Sequence, residues 1–144
     1  MDRLTPSSPQ VQAIPVEECD DPLVDIALAS DLKFGPPPEC PETAPHYRFV
    51  RQSILKRLQH AQSLLPDGIY LRLYEGYRSL QVQQLLFDQE CARVQQRQPE
   101  LSDEQAYVET TRLVSAVQRP DGSRNVPPHV TGAAVDVELV DVNG

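Results

Sequence analysis

The sequence predicts an α+β domain, a small antiparallel sheet packed on about three helices. Three observations carry this reading. Val50, Ile54, Leu58, Ala61 and Leu65 recur every three or four residues, the period of one helix face. Ile69-Tyr70-Leu71-Arg72-Leu73-Tyr74 and the stretch Ala133–Val142 alternate in character, the period of a strand. Ser102-Asp103-Glu104-Gln105 has the spacing of a capping box, in which the serine and the glutamine each satisfy a backbone N–H at a helix start.

The elements follow in order. Nine of the fourteen prolines fall within residues 1–45, so no long helix fits there. Residues 1–22 read as an extended Pro-rich leader, and residues 23–144 as part of a single domain. A short strand is expected at Leu23–Leu28, and Pro36-Pro37-Pro38 as stiff polyproline-like chain. Helix 46–65 ends at the turn Pro66-Asp67-Gly68, which leads into strand 69–74 with Ile69, Leu71 and Leu73 on one face. Gly76-Tyr77-Arg78-Ser79 opens a second helix, 79–97, with Val82, Leu85, Leu86 and Val94 inward and Pro99 beyond its end. A third helix, 103–117, would use Tyr107, Leu113, Val114 and Val117 as apolar contacts. Residues 118–128 are a loop rich in Pro, Gly, Asp and Asn. The last strand, 133–142, would turn Val135, Val137 and Leu139 toward helices, and Asp136 and Glu138 toward a polar face. Asn143-Gly144 is a hairpin-turn signal, which leads us to expect a partner strand and a domain truncated at this C-terminus.

Composition narrows the function classes. The chain of 144 residues is 40% hydrophobic and 24% charged, as in a globular protein. Its net charge of −8 disfavours nucleic acid and anionic membrane surfaces as partners, because both select clustered Lys and Arg. Met1-Asp2-Arg3-Leu4-Thr5-Pro6 has no apolar core of a signal peptide, and no apolar run approaches the roughly 18 residues of a membrane span. A cytoplasmic location is expected, with a periplasmic one left open. Cys19, Cys40 and Cys91 are odd in number and widely spaced, which fits a reducing compartment and no Cys-based metal site.

The chemistry concentrates in His129-Val130-Thr131-Gly132-Ala133-Ala134-Val135-Asp136. A histidine and an aspartate, joined by a small-residue turn entering a strand, suit two ligands of a catalytic zinc. Aspartate is disfavoured inside strands, so Asp136 between Val135 and Val137 calls for a partner. Arg78 sits at a helix start, the unfavourable end of the dipole for a cation, which argues for a functional reason. His46 and His60 lie fourteen positions apart and do not form a chelating pair. Glu138 is two residues from Asp136 on the same face, a weak ligand and a poor base.

With Gly132 and Ala134 between its ends, the His129 to Asp136 pattern resembles the zinc motif of the D-alanyl-D-alanine dipeptidases, metallopeptidases of the D,D-peptidase/hedgehog-type fold. Glu75-Gly76-Tyr77-Arg78-Ser79 after a strand resembles the family's Gly-Tyr-Arg segment. The resemblance covers the N-terminal two thirds of the family pattern. It implies one Zn2+ per complete site, with His129 and Asp136 as ligands, Arg78 as the group that stabilises the oxyanion, and Tyr77 beside the substrate. It implies a short D-amino-acid dipeptide as substrate, in cell-wall precursor metabolism. The family's Glu-x-x-His, which supplies the general base and third ligand, has no counterpart after Asp136. This chain alone is therefore expected to be inactive, and a C-terminal fragment or second chain to complete the site. Two departures bear on specificity: Pro127 stands where the family often has serine, and Ser79 where it has proline.

Two other readings stand beside this one. A non-catalytic relative would bind peptide or a partner in the same groove, with the edge of strand 134–142 free to add a strand. A scaffold domain without metal would show no zinc-dependent stability.

Overall fold

In a computed structural model, Leu4 and residues 8–144 are described. They fall into two compact units. One comprises the described part of Met1–Glu17 together with Leu80–Pro127; the other comprises Glu18–Ser79 and Pro128–Gly144. The α+β class is borne out. The extended leader expected over residues 1–22 lies partly outside the described residues, and within it Pro9–Gln12 forms one helical turn, α1.

Among the described residues, the second unit holds every strand. β1 (Leu23–Asp25) pairs antiparallel with β3 (Phe49–Arg51), Val24 opposite Val50. β1 is shorter than expected because Asp25 caps a helical turn, α2 (Ile26–Ala29), its carboxylate accepting from the Ala27 N–H at 3.0 Å. A second sheet has the order β2 (Lys33–Phe34), β4 (Tyr70–Glu75), β5 (Asp136–Val140). β4 and β5 run antiparallel, while the two-residue β2 joins β4 in parallel.

The helix expected at 46–65 is confined to Gln52–Ser63, here α3. Phe49, Val50 and Arg51 satisfy the helical period, but their backbone is taken by the ladder to β1, and Val50 is fully buried there. Gln62 ties α3 to β4, donating to the Ile69 carbonyl at 3.0 Å and accepting from the Leu71 N–H at 2.7 Å. The core of this unit is Ile26, Val50, Leu55 and Leu73, with Val24, Leu32, Ile54 and Val135 packed against it. Each such side chain contributes roughly 1.5–3 kcal/mol by leaving water.

The first unit is helical. α4 (Leu80–Arg97) buries Val82, Leu86, Phe87 and Val94, close to expectation, and the partly buried carboxylate of Glu90 pairs with Arg93 and Arg97. α5 (Asp103–Thr110) starts on the expected capping box of Ser102 and Gln105. It stops well short of residue 117. Thr110 and Thr111 turn their hydroxyls onto the Ala106 and Val108 carbonyls, and Leu113, expected inward, is 75% exposed. Among the described residues no helix is long and apolar enough to cross a membrane.

The last strand departs from expectation on its apolar face. Val137 and Leu139 oppose Leu73 and Leu71, yet they are 42% and 65% exposed, and of the expected set only Val135 packs against the core. β5 is an edge strand, and its neighbour β4 covers one side only.

Candidate metal centre

The centre lies within the second unit, where the end of β4 meets the turn before β5. β4 carries one extra residue there, a bulge between Leu73 and Glu75. Leu73 opposes Val137, so an unbroken ladder would set Glu75 against Val135. With the bulge, Glu75 opposes Asp136.

Gly76 follows at once, and its place admits no side chain. A Cβ there would collide with the Phe49 carbonyl and lie 2.9 Å from Val50 Cγ1. The bare backbone can therefore bond to the segment entering β3: the Gly76 N–H to the Tyr47 carbonyl and the Tyr77 N–H to the Phe49 carbonyl, each at 2.7 Å. This fixes the course of Glu75-Gly76-Tyr77-Arg78.

His129 sits in a 3-10 turn, Pro128–Thr131, and is gripped twice by that segment. Its carbonyl accepts from the Arg78 N–H at 3.1 Å, and its ring Nδ1 lies 2.9 Å from the Gly76 carbonyl. A carbonyl only accepts, so Nδ1 carries the proton of that bond. In the neutral ring Nε2 is then left with its lone pair. Gly132 ends the turn at φ 72°, with its missing side chain leaving room for Leu23. Arg51 holds the turn from β3, its N–H on the Gly132 carbonyl at 2.9 Å and its Nε on the Thr131 carbonyl at 2.8 Å.

Nε2 of His129 faces Asp136 Oδ2 at 3.3 Å. With a second ring proton this is an ion pair. Without one, two electron-pair donors converge, an arrangement able to hold a cation. Ligand atoms of Glu75, His129 and Asp136 all lie within 4.8 Å of one another. One imidazole and carboxylates are donors of the type zinc takes, and the orienting bond from Nδ1 to a backbone carbonyl is the usual support of a histidine ligand. The residues fit such an ion.

Arg78 is almost buried, and the Glu75 carboxylate holds it through both oxygens: Nε donates to Oε1 at 2.9 Å and Nη2 to Oε2. Burial by itself would lower the Arg78 pKa. The Glu75 hydrogen bond and charge, with Glu39 and Asp136 adding, outweigh it, and the net direction is upward. The guanidinium stays charged.

Of the residues singled out in the sequence, His129 and Asp136 come together, with Arg78 on the adjoining segment. Tyr77 is half-buried and meets the His46 ring edge-on, centroids 5.8 Å apart. Glu138 is turned to Arg72, 2.7 Å away, and His60 is exposed on α3. Glu75 and Arg51 carried no role in the sequence reading. The Glu-x-x-Arg spacing was the available signal for Glu75; Arg51 gave none, since the turn it holds lies eighty positions away.

Fold and site define an α+β protein with a histidine–carboxylate centre beside a buried arginine. No family model matches the chain. A D-alanyl-D-alanine dipeptidase of Synechocystis sp. is 29% identical over 152 aligned positions, covering 95% of this chain and 60% of that protein. The chain is similar to this dipeptidase over nearly all of its own length and spans about 60% of the length of that relative. Among solved structures, the vancomycin-resistance D,D-pentapeptidase VanY from a VanB-type cassette, in complex with Zn(II), is similar with a TM-score of 0.47 and 24% identity, over 67% of this chain and 49% of that one.

Proposed function

We propose that this chain serves zinc-dependent hydrolysis of D-alanyl-D-alanine-type dipeptides derived from cell-wall precursors. The convergence of His129 Nε2 and Asp136 Oδ2, 3.3 Å apart beside a buried arginine, carries the reading. The dipeptidase relative supports it.

In this reading His129 and Asp136 hold the metal, with the imidazole fixed by Gly76. A bound zinc would supply Lewis acidity toward the scissile carbonyl and make an attacking water more acidic. Arg78 would face the oxygen that gains charge as the carbonyl becomes tetrahedral. A guanidinium already desolvated and locked needs no reorganisation for that task. Tyr77 would border the substrate. Pro127, unlike a serine, offers no hydroxyl to the dipeptide's amino end, so strict D-Ala-D-Ala preference is not expected. A further Glu-x-x-His segment would supply the third ligand and the base that takes the proton from water and delivers it to the leaving amine.

The test is release of free D-alanine from D-Ala-D-Ala by the purified chain. It is measured with one equivalent of zinc, with chelator, and with an added polypeptide carrying a Glu-x-x-His segment. Zinc-dependent release that His129→Ala abolishes supports the proposal. Zinc binding without turnover in any arm favours the alternative of a dipeptide-binding relative, and absence of zinc binding removes the metal from the reading.

A further inference from the structure

Glu75 is the most buried charged residue at the centre, 1% exposed, and it has two competing uses. Its carboxylate is within metal-sharing distance of His129 and Asp136. Both of its oxygens are also bonded to Arg78, one from Nε and one from Nη2. An arginine this far from water needs a counter-charge at fixed geometry. The planar fork of Nε and Nη2 on two carboxylate oxygens is its strongest form. A metal drawing on the same oxygens would have to displace one of those bonds and compete with a buried guanidinium for the carboxylate.

The backbone points the same way. Between Glu75 and Arg78, the Gly76 carbonyl accepts from His129 Nδ1, and the Arg78 N–H donates to the His129 carbonyl. Four consecutive residues thus set the histidine ring and the arginine together. The bulge places Glu75 at the head of this stretch, opposite Asp136.

We infer that Glu75 is a positioning residue that locks the Arg78 guanidinium beside the His129–Asp136 pair, and that it is not a metal ligand. The functional meaning of that lock rests on the dipeptidase reading above. The lock itself is a statement about Arg78 that holds with or without catalysis.

The test uses the full chain and two readouts. The first is zinc affinity by competition with a chromophoric chelator, for the wild type, His129→Ala and Glu75→Gln. The second is the Arg78 Nε–H signal in 15N-resolved NMR. In the wild type it should be shifted downfield and protected from solvent exchange. Glu75→Gln should keep zinc affinity within about threefold, while His129→Ala should weaken it by more than about a hundredfold, beyond the range for losing a supporting contact. Glu75→Gln should also lose the protected Arg78 signal. Should Glu75→Gln weaken zinc as much as His129→Ala, Glu75 is a ligand and the inference is overturned. An Arg78 signal that Glu75→Gln leaves unmoved overturns it equally. If Glu75→Gln does not fold, the double variant Glu75→Leu/Arg78→Met, which removes both charges, gives the zinc result. Wild-type protein that takes up no zinc would sink the metal half of the proposed function, while the Arg78 signal would still decide the lock.

Discussion

The ring of His129 is aimed by Gly76: Nδ1 lies 2.9 Å from the Gly76 carbonyl, which leaves Nε2 facing Asp136. Removing the ring should weaken metal binding more than trimming Asp136. His129→Ala is expected to lower zinc affinity by more than about a hundredfold and Asp136→Asn by about tenfold or more. Competition titration with a chelator measures both. A His129→Ala protein with wild-type zinc affinity would remove His129 from the ligand set.

Arg78→Ala should lower kcat on a D-alanyl dipeptide by roughly 100-fold or more with a smaller effect on KM, because its contact strengthens as charge develops on the carbonyl oxygen. Steady-state kinetics under conditions where the wild type turns over checks this. An unchanged kcat rejects the oxyanion role.

Gly76 has no space for a methyl group against Phe49, Val50 and Tyr47. Gly76→Ala should destabilise by at least about 1–3 kcal/mol, the cost of overpacking, with a shift of the backbone that aims His129. Urea unfolding gives the first number and zinc affinity the second. Substitution at Gly68, where a Cβ would meet nothing within 4 Å, is the control for space, since its φ of 84° carries backbone strain alone.

Arg51 pins the turn after His129 by bonds to Thr131 and Gly132. Arg51→Ala loses the Nε bond to Thr131 together with the Nη1 bond to the Asp21 carbonyl and the Nη2 ion pair with Glu18, while the backbone bond to Gly132 persists. The expected result is a stability loss of about 1–3 kcal/mol, since bonds from a charged donor are removed at a partly buried site. Zinc affinity should fall by a few-fold as the turn loosens. Thermal melting with and without zinc separates the two effects, and equal affinity in both proteins would show that the turn holds without Arg51.

The acid side of stability has a defined sign. The Asp21 carboxyl is held below its ordinary value of 3.8 by the Ser53 hydroxyl and N–H, and the Glu18 carboxyl below 4.5 chiefly by the Arg51 hydrogen bond. A depressed native pKa means that the unfolded chain takes up the proton more readily. The contribution is present above the ordinary values and is lost as pH falls through the native ones. The melting temperature should hold down to about pH 5 and drop below about pH 4. Glu18→Gln/Asp21→Asn should start lower and fall less steeply, and a parallel fall in both proteins would refute the assignment.

How far the sequence could be read follows from the range of each interaction. The capping box at Ser102, the turn at Pro66-Asp67-Gly68 and the alternation of β4 are settled within a few residues, and they stand as expected. Val50 satisfies the 3.6 period and so predicts helix at Phe49–Arg51, while the partner that makes it a strand, Leu23–Asp25, lies more than twenty positions away. The same local grounds predict Leu113 and Leu139 inward, and both are exposed.

By itself the sequence determined the pairing of His129 with Asp136 across a small-residue turn, and the arginine after β4. Spacing and residue type suffice for that, because a turn and a strand are short-range objects. Only the tertiary structure decided what surrounds them. A single extra residue in β4 sets Glu75 against Asp136, and a glycine with no room for a methyl group turns its carbonyl onto the histidine. Side-chain periodicity is written along one strand, but register is a property of two, and it is register that brings the buried carboxylate, with the arginine three residues beyond it, opposite Asp136.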